Sequence, residues 1–286
     1  MVKIIECPRD AMQGLKPFIP TETKIRYINA LLKVGFDTID FGSFVSPKAI
    51  PQMRDTAQVV RQLDLSTTKS KLLCIVANRR GAEDAVQFDE ITYLGYPFSI
   101  SETFQMRNTN ATIEESLDRV AQIQELCLRH HKKMLVYISM GFGNPYGDPW
   151  NVEIVQKWVN RLVENGIQYL QLSDTIGVSN PDSIAYLFSN LIPVYQPLGI
   201  EIGAHLHTTP TTWREKIQSA WENGCTRFDG AIRGFGGCPM AKDELTGNMP
   251  TENMVRFFRE NNVETGIDFD QFQACVEMAA SVFPIH

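Results

Sequence analysis

Short apolar runs alternate with longer segments of helical periodicity along almost the whole chain, and no other feature limits the fold so tightly. A βαβα rhythm buries both faces of each strand beneath helices, which is the arrangement of a parallel sheet. Eight strands are predicted near residues 2–6, 36–41, 71–75, 90–94, 133–139, 167–173, 201–206 and 226–230. Helical spacing is clearest from Thr21 to Val34 and from Thr112 to His130, where Asn110 and Thr112 are cap candidates ahead of Glu114 and Glu115. A (β/α)8 barrel takes about 250 residues, so one TIM barrel of the α/β class uses most of the 286 present. Residues from Thr251 onward then form additional C-terminal helices beside it. No Pro/Gly/Ser-rich linker or low-complexity run intervenes, so residues 1–286 are expected to be one domain with a helical extension from about 250.

Composition excludes several partners. The chain is 43% hydrophobic and 21% charged with a net charge of −6, a mildly acidic balance that argues against nucleic acid or an anionic membrane surface. No apolar stretch approaches the roughly 20 residues of a membrane span. Met1-Val2-Lys3-Ile4 leads into a strand without a signal-peptide pattern, and the expectation is a soluble, cytoplasmic protein. The six cysteines, Cys7, Cys74, Cys127, Cys225, Cys238 and Cys275, show neither CxxC spacing nor the density of a disulfide scaffold. Most are expected to be free thiols filling the core.

In a barrel of this kind the active site lies at the C-terminal ends of the strands. Arg9 and Asp10 follow strand one, Asp40 ends strand two, Ser139 ends strand five, and Asp174 ends strand six. His205 and His207 end strand seven. Their i, i+2 spacing puts both imidazoles on one face of a strand. Asn248 lies beyond the stretch Gly234-Phe235-Gly236-Gly237-Cys238-Pro239 that follows strand eight. A polar residue at a strand end is about as often a helix cap or loop clamp as a catalyst. Here many such residues are aimed at one mouth, with Asp10 and Asn248 available to complete a metal shell begun by the two histidines.

The segments Ile5-Glu6-Cys7-Pro8-Arg9-Asp10-Ala11-Met12-Gln13, Ser43-Phe44-Val45-Ser46-Pro47-Lys48, Pro51-Gln52-Met53, Asp174-Thr175-Ile176-Gly177-Val178, His205-Leu206-His207, Gly236-Gly237-Cys238-Pro239-Met240-Ala241 and Gly247-Asn248 carry a family likeness. In this order they resemble the 3-hydroxy-3-methylglutaryl-CoA lyases, from the first strand past the eighth. The Arg-Asp pair and His-x-His point to the wider group of metal-dependent aldolase-type barrels, and the Ser-Phe-Val-Ser-Pro and Gly-Gly-Cys-Pro segments narrow it to the lyases. The resemblance implies cleavage of the C2–C3 bond of a 3-hydroxyacyl-CoA, with release of acetoacetate and the enolate of acetyl-CoA. It implies one divalent cation, Mg²⁺ or Mn²⁺, on Asp10, His205, His207 and Asn248, a mixed O/N set with room for substrate. Arg9 is implied as the charge partner of the enolate oxygen. Either Asp10 or His205 is implied as base for the hydroxyl proton, Asp40 and Cys238 as further catalytic residues, and Arg9, Gln13, Ser139 and Asp174 as substrate contacts. A homodimer is implied as well.

The chain departs from the family pattern at several points. Asp40 stands where glutamate is usual, so its carboxylate is retracted by one methylene and is expected to need a bridging water. Thr208 replaces the aspartate that follows the second histidine, removing an acceptor that could orient an imidazole. Ala11-Met12 replaces a glycine-containing pair, and Met140-Gly141-Phe142-Gly143-Asn144-Pro145 stands where cysteines are common. No glycine-rich phosphate loop marks a site for the coenzyme A phosphates, and Lys48, Arg54 and Arg107 read as ordinary solvated charges. Two rival functions fit the same residues: a lyase or synthase acting on another 3-hydroxyacyl-CoA, or on a 2-oxo acid with acetyl-CoA, and a non-catalytic acyl-CoA-binding barrel.

Overall fold

Eight parallel strands close on themselves, each hydrogen-bonded to the next, with helices around them. The computed structural model describes residues 1–237 and 246–283. The barrel strands are β1 (Lys3–Glu6), β2 (Thr38–Ser43), β3 (Lys71–Ile75), β4 (Ile91–Ser99), β5 (Lys133–Ser139), β6 (Tyr169–Ser173), β7 (Glu201–His205) and β9 (Arg227–Gly230). Closure is made by β1 against β9, with Lys3 opposite Arg227 and Glu6 opposite Gly230. Two further pieces, β8 (His207–Thr208) and β10 (Gly247–Asn248), form a separate antiparallel ribbon.

The period of two along each strand sorts side chains between two environments. Ile4, Ile39, Leu72, Leu94, Val136, Leu170, Ile202 and Phe228 join the main core that the helices cover. Each such burial stabilises the fold by about 1.5–3 kcal/mol. The alternate positions Leu73, Ile75, Tyr93, Leu135 and Tyr137 form a smaller cluster of their own. At the N-terminal end of the barrel, Lys3 pairs with Glu201, and Arg227 reaches Glu201 at 3.1 Å and Asp37 at 3.4 Å. At the C-terminal end the same parity carries Asp40, Tyr137, Ser139, Ser173, His205 and Asp229.

Several boundaries differ from expectation for identifiable reasons. The fourth strand, expected to end near residue 94, continues through Gly95-Tyr96-Pro97 to Ser99. Pro97 pairs with Tyr137 all the same. The second strand runs on to Ser43 past a register shift between Asp40 and Gly42, so Asp40 lies within the strand instead of ending it. The predicted seventh strand divides: β7 stops at His205, and His207 belongs to the ribbon. The first predicted helix spans Thr21–Leu31. The helix Ile113–Arg129 starts at a capping box of Thr112 and Glu115, whereas Asn110, in the left-handed region at φ 50°, ends the preceding helix Glu102–Thr109. Beyond the ribbon, helices Thr251–Glu260 and Phe269–Val282 follow, the second packing Phe272 edge-on against Phe36 with ring centroids 6.2 Å apart. Among the described residues no helix is long and apolar enough to cross a membrane, and the five described cysteines, Cys7, Cys74, Cys127, Cys225 and Cys275, are free and buried.

Candidate active site

A cavity of about 460 Å³ opens at the C-terminal end of the barrel. Arg9, Asp10, Gln13, Ser139, His205 and His207 all line it. The short helix Pro8–Gln13 directly after β1 supplies the first three. Proline at its first turn fixes the backbone where an N–H would have no partner, and one helical turn then separates Arg9 from Gln13.

Arg9 is buried and held on two sides. Its Nε donates to both Asp40 oxygens at 3.2 and 3.0 Å, and its Nη2 donates to Asp40 Oδ2 at 2.5 Å. Its Nη1 donates to Asp10 Oδ1 at 2.9 Å and to Gln13 Oε1 at 3.0 Å. Asp40 therefore grips the arginine directly, and the bridging water expected for its shorter side chain is not required. Burial lifts the Asp40 carboxyl to about 6 against the pull of Arg9. For Arg9 burial works against the charge, but Asp40 and Asp10 outweigh it and hold the guanidinium protonated.

Asp10 accepts from Gln13 Nε2 at 2.8 Å and from Asn248 Nδ2 at 2.6 Å, besides Arg9. Burial pushes its carboxyl up, yet Arg9, His205 and the Asn248 hydrogen bond together keep it below the ordinary carboxylate range. Asn248 comes from 238 residues further along the chain. The ribbon delivers it, because Asn248 lies opposite His207 there. The amide nitrogen also donates to the Phe235 carbonyl at 2.8 Å, which leaves the amide oxygen as the group able to ligate. Gly236 permits the approach: a Cβ there would lie 2.8 Å from both Asn248 Nδ2 and the Asp10 carbonyl.

The two imidazoles stand 5.3 Å apart between centroids. His207 Nδ1 donates to the Thr175 carbonyl at 3.1 Å, which fixes its tautomer because a carbonyl only accepts. His205 Nδ1 lies 2.9 Å from Asp229 Oδ2, its register partner across β9. Both rings thus keep Nε2 for a ligand. Burial, followed by the proximity of His205, lowers His207 to about 4, so it is neutral at pH 7. For His205 burial opposes the charge, but the bond to Asp229 outweighs it and the pKa is raised. Donor atoms of Asp10, His205 and His207 lie within 4.8 Å of one another, a group that could hold a metal ion. An anionic carboxylate and two nitrogen donors of fixed tautomer fit a divalent cation.

Asp174 faces elsewhere. It is fully buried, accepts from Ser179 N at 3.0 Å and Ser179 Oγ at 2.5 Å, and pairs with Lys216 Nζ at 2.9 Å. It is not among the residues lining the cavity. Cys238 lies outside the described residues, although its neighbour Gly237 lines the cavity. The missing aspartate at Thr208 leaves no imidazole unanchored, since Thr175 and Asp229 take the Nδ1 groups. Tyr137, Asn108 and Thr109 also line the cavity, and Asp229 backs it through His205, four residues that the family motifs do not include. Asp229 stands one residue before the end of β9, in register with His205, and Tyr137 is two residues before Ser139 on the same face, so proximity to a strand end and the period of two point to both. The Tyr137 ring meets that of His205 edge-on at 5.8 Å.

A closed (β/α)8 barrel with an arginine, carboxylates and paired imidazoles gathered at its C-terminal mouth has the layout of a barrel enzyme. The profile of the HMGL-like family matches residues 2–279. The hydroxymethylglutaryl-CoA lyase of Bacillus subtilis is 33% identical over 264 residues, covering 92% of this chain and 87% of that protein. The cytoplasmic 3-hydroxy-3-methylglutaryl-CoA lyase of Danio rerio is 34% identical over 270 residues, 93% of this chain and 78% of that protein. The crystal structure of the Bacillus subtilis HMG-CoA lyase superposes with a TM-score of 0.91 at 32% identity, covering 98% of this chain and 93% of that one. An HMG-CoA lyase from Acinetobacter baumannii, solved in complex with coenzyme A and 3-methylmalate, has a TM-score of 0.90 at 29% identity, covering 99% and 91%. The chain belongs to the HMGL-like family, on its hydroxymethylglutaryl-CoA lyase branch.

Proposed function

We propose that the chain cleaves 3-hydroxy-3-methylglutaryl-CoA to acetoacetate and acetyl-CoA with the help of a divalent cation, Mg²⁺ or Mn²⁺. The observation that carries this reading is the convergence of Arg9, Asp10, His205 and His207 on one cavity, with Asn248 bonded to Asp10, in a member of the lyase family. Asp10, His205, His207 and the Asn248 amide oxygen would hold the cation. Once bound it supplies Lewis acidity, lowering the pKa of the substrate hydroxyl.

The residues of the chain divide the remaining work. An imidazole anchored through Nδ1 has only Nε2 to offer, so a ligating His205 cannot also take a proton. A carboxylate has spare lone pairs, which favours Asp10 as acceptor of the C3 hydroxyl proton. Its low basicity limits that role, and the neighbouring cation of Arg9 is the reason for it. Arg9 in turn faces the thioester oxygen, which is neutral before cleavage and negative in the enolate, so its fixed charge favours the transition state over the ground state. Asp40 and Gln13 hold the guanidinium in place. By resemblance Cys238 returns a proton to the nascent acetyl-CoA carbanion, and Ser139 contacts substrate.

The test is a coupled assay for acetoacetate and acetyl-CoA on protein stripped with EDTA and resupplied with Mg²⁺ or Mn²⁺. Restored cleavage that His207→Ala and Cys238→Ala both cripple supports the reading. Loss of cleavage with every metal sinks it and directs attention to other hydroxyacyl thioesters. Residues 1–286 then act as one catalytic domain, and family resemblance favours a homodimer, to be checked by sedimentation. Cytoplasmic residence remains the expectation: relatives named cytoplasmic and relatives named mitochondrial both match.

A further inference from the structure

Behind His205 the barrel interior holds a glutamine that the mechanism above does not use. Gln171 on β6 is fully buried. Its Nε2 donates to Asp229 Oδ1 at 2.8 Å and to the carbonyl of Ala204, the residue before His205, at 3.0 Å. The other Asp229 oxygen meets His205 Nδ1 at 2.9 Å. A carboxylate held through both oxygens by ordered donors cannot turn about its last torsion, so the plane of Asp229 and the aim of the imidazole are set together.

Gln171 reaches β9 across β7 because β7 has a glycine at that point. Gly203 is the register partner of Gln171. A Cβ on Gly203 would lie 2.2 Å from Gln171 Oε1 and 2.8 Å from the Arg227 carbonyl, distances that side chains do not adopt. His207 shares none of this arrangement, since its anchor is Thr175.

We propose that Gln171 is a positioning residue for His205: it clamps Asp229 from behind so that His205 presents Nε2 to the cavity, and Gly203 provides the slot in which it lies. The inference rests on the metal-holding reading of His205. It needs a side chain of glutamine length, because an asparagine amide stops one methylene short of β9.

The experiment uses the full chain stripped with EDTA, with Mn²⁺ alone as probe, followed by electron paramagnetic resonance of the free ion. Gln171→Met and Gly203→Ala are expected to weaken Mn²⁺ binding by about 10–100-fold. Long-range ¹H–¹⁵N spectra of the imidazoles should show His205 mixing its two tautomers while His207 keeps one. Mn²⁺ affinity within twofold of the parent, with His205 unchanged and only the melting temperature lowered, would overturn the proposal. If Gln171→Met does not fold, Gln171→Asn decides alone: parental Mn²⁺ affinity overturns the proposal, and weakened binding supports it. Both readouts need no substrate. A parent that binds Mn²⁺ but leaves the thioester uncleaved therefore ends the lyase reading and not this one, whereas a parent that binds no Mn²⁺ ends this one.

Discussion

Lys216 and Asp174 form an ion pair at 2.9 Å, with neither side chain more than 4% exposed. The same ammonium donates to the His207 carbonyl at 2.8 Å. It thereby ties the residue after His205-Leu206 to the loop whose Thr175 carbonyl anchors the His207 ring. Asp174, expected from the family pattern to contact substrate, is placed as the counter-charge of this clamp.

Breaking the clamp from one side should be costly. Lys216→Met leaves a buried carboxylate without its cation and is expected to destabilise the fold by about 3–5 kcal/mol, read from urea unfolding. Adding Asp174→Asn removes the stranded charge and should recover part of that loss. A single variant as stable as the parent would refute the account.

Arg9 should matter more to turnover than to binding. Arg9→Met is expected to lower kcat by about 10²–10³-fold with a smaller change in KM, the pattern of a contact made mainly in the transition state. Asp40→Asn keeps the guanidinium but loosens its hold and should fall between. Equal losses in KM and none in kcat would assign Arg9 to ground-state binding.

His207 should control metal retention. Its ring is neutral at pH 7 and offers a bare Nε2, so His207→Ala is expected to reduce Mn²⁺ affinity by at least about a hundredfold, beyond what loss of an outer partner costs. Calorimetric titration checks this without substrate.

Stability should fall with alkalinity through one buried acid. Glu6 accepts from Ile232 N at 2.8 Å and Thr251 Oγ1 at 2.6 Å, clasping both ends of the segment between them. Burial raises its carboxyl from 4.5 to about 8 despite those bonds. The folded chain thus binds more protons than the unfolded one between these values. The stability from this group is whole below about 4.5 and is lost as pH rises through about 8. Glu6→Gln can make both contacts uncharged and should flatten the decline in melting temperature; an unchanged slope would assign it to other groups.

The barrel and most of its mouth are legible in the amino-acid sequence. Apolar runs in alternation with helical periods admit few closed solutions for a chain of this length, and the strand-end rule then places Arg9, Asp10, Ser139 and His205 without any coordinates. What each polar group touches emerges with the folded packing. Asp40 grips Arg9 from within β2; Asn248 reaches Asp10 because a two-residue ribbon carries it there; Asp174 turns to Lys216 on a distant helix. The difference is one of range. Strand periodicity is a local property of neighbouring residues, whereas a hydrogen bond between residues 238 positions apart is settled to a fraction of an ångström by the packing of everything between them.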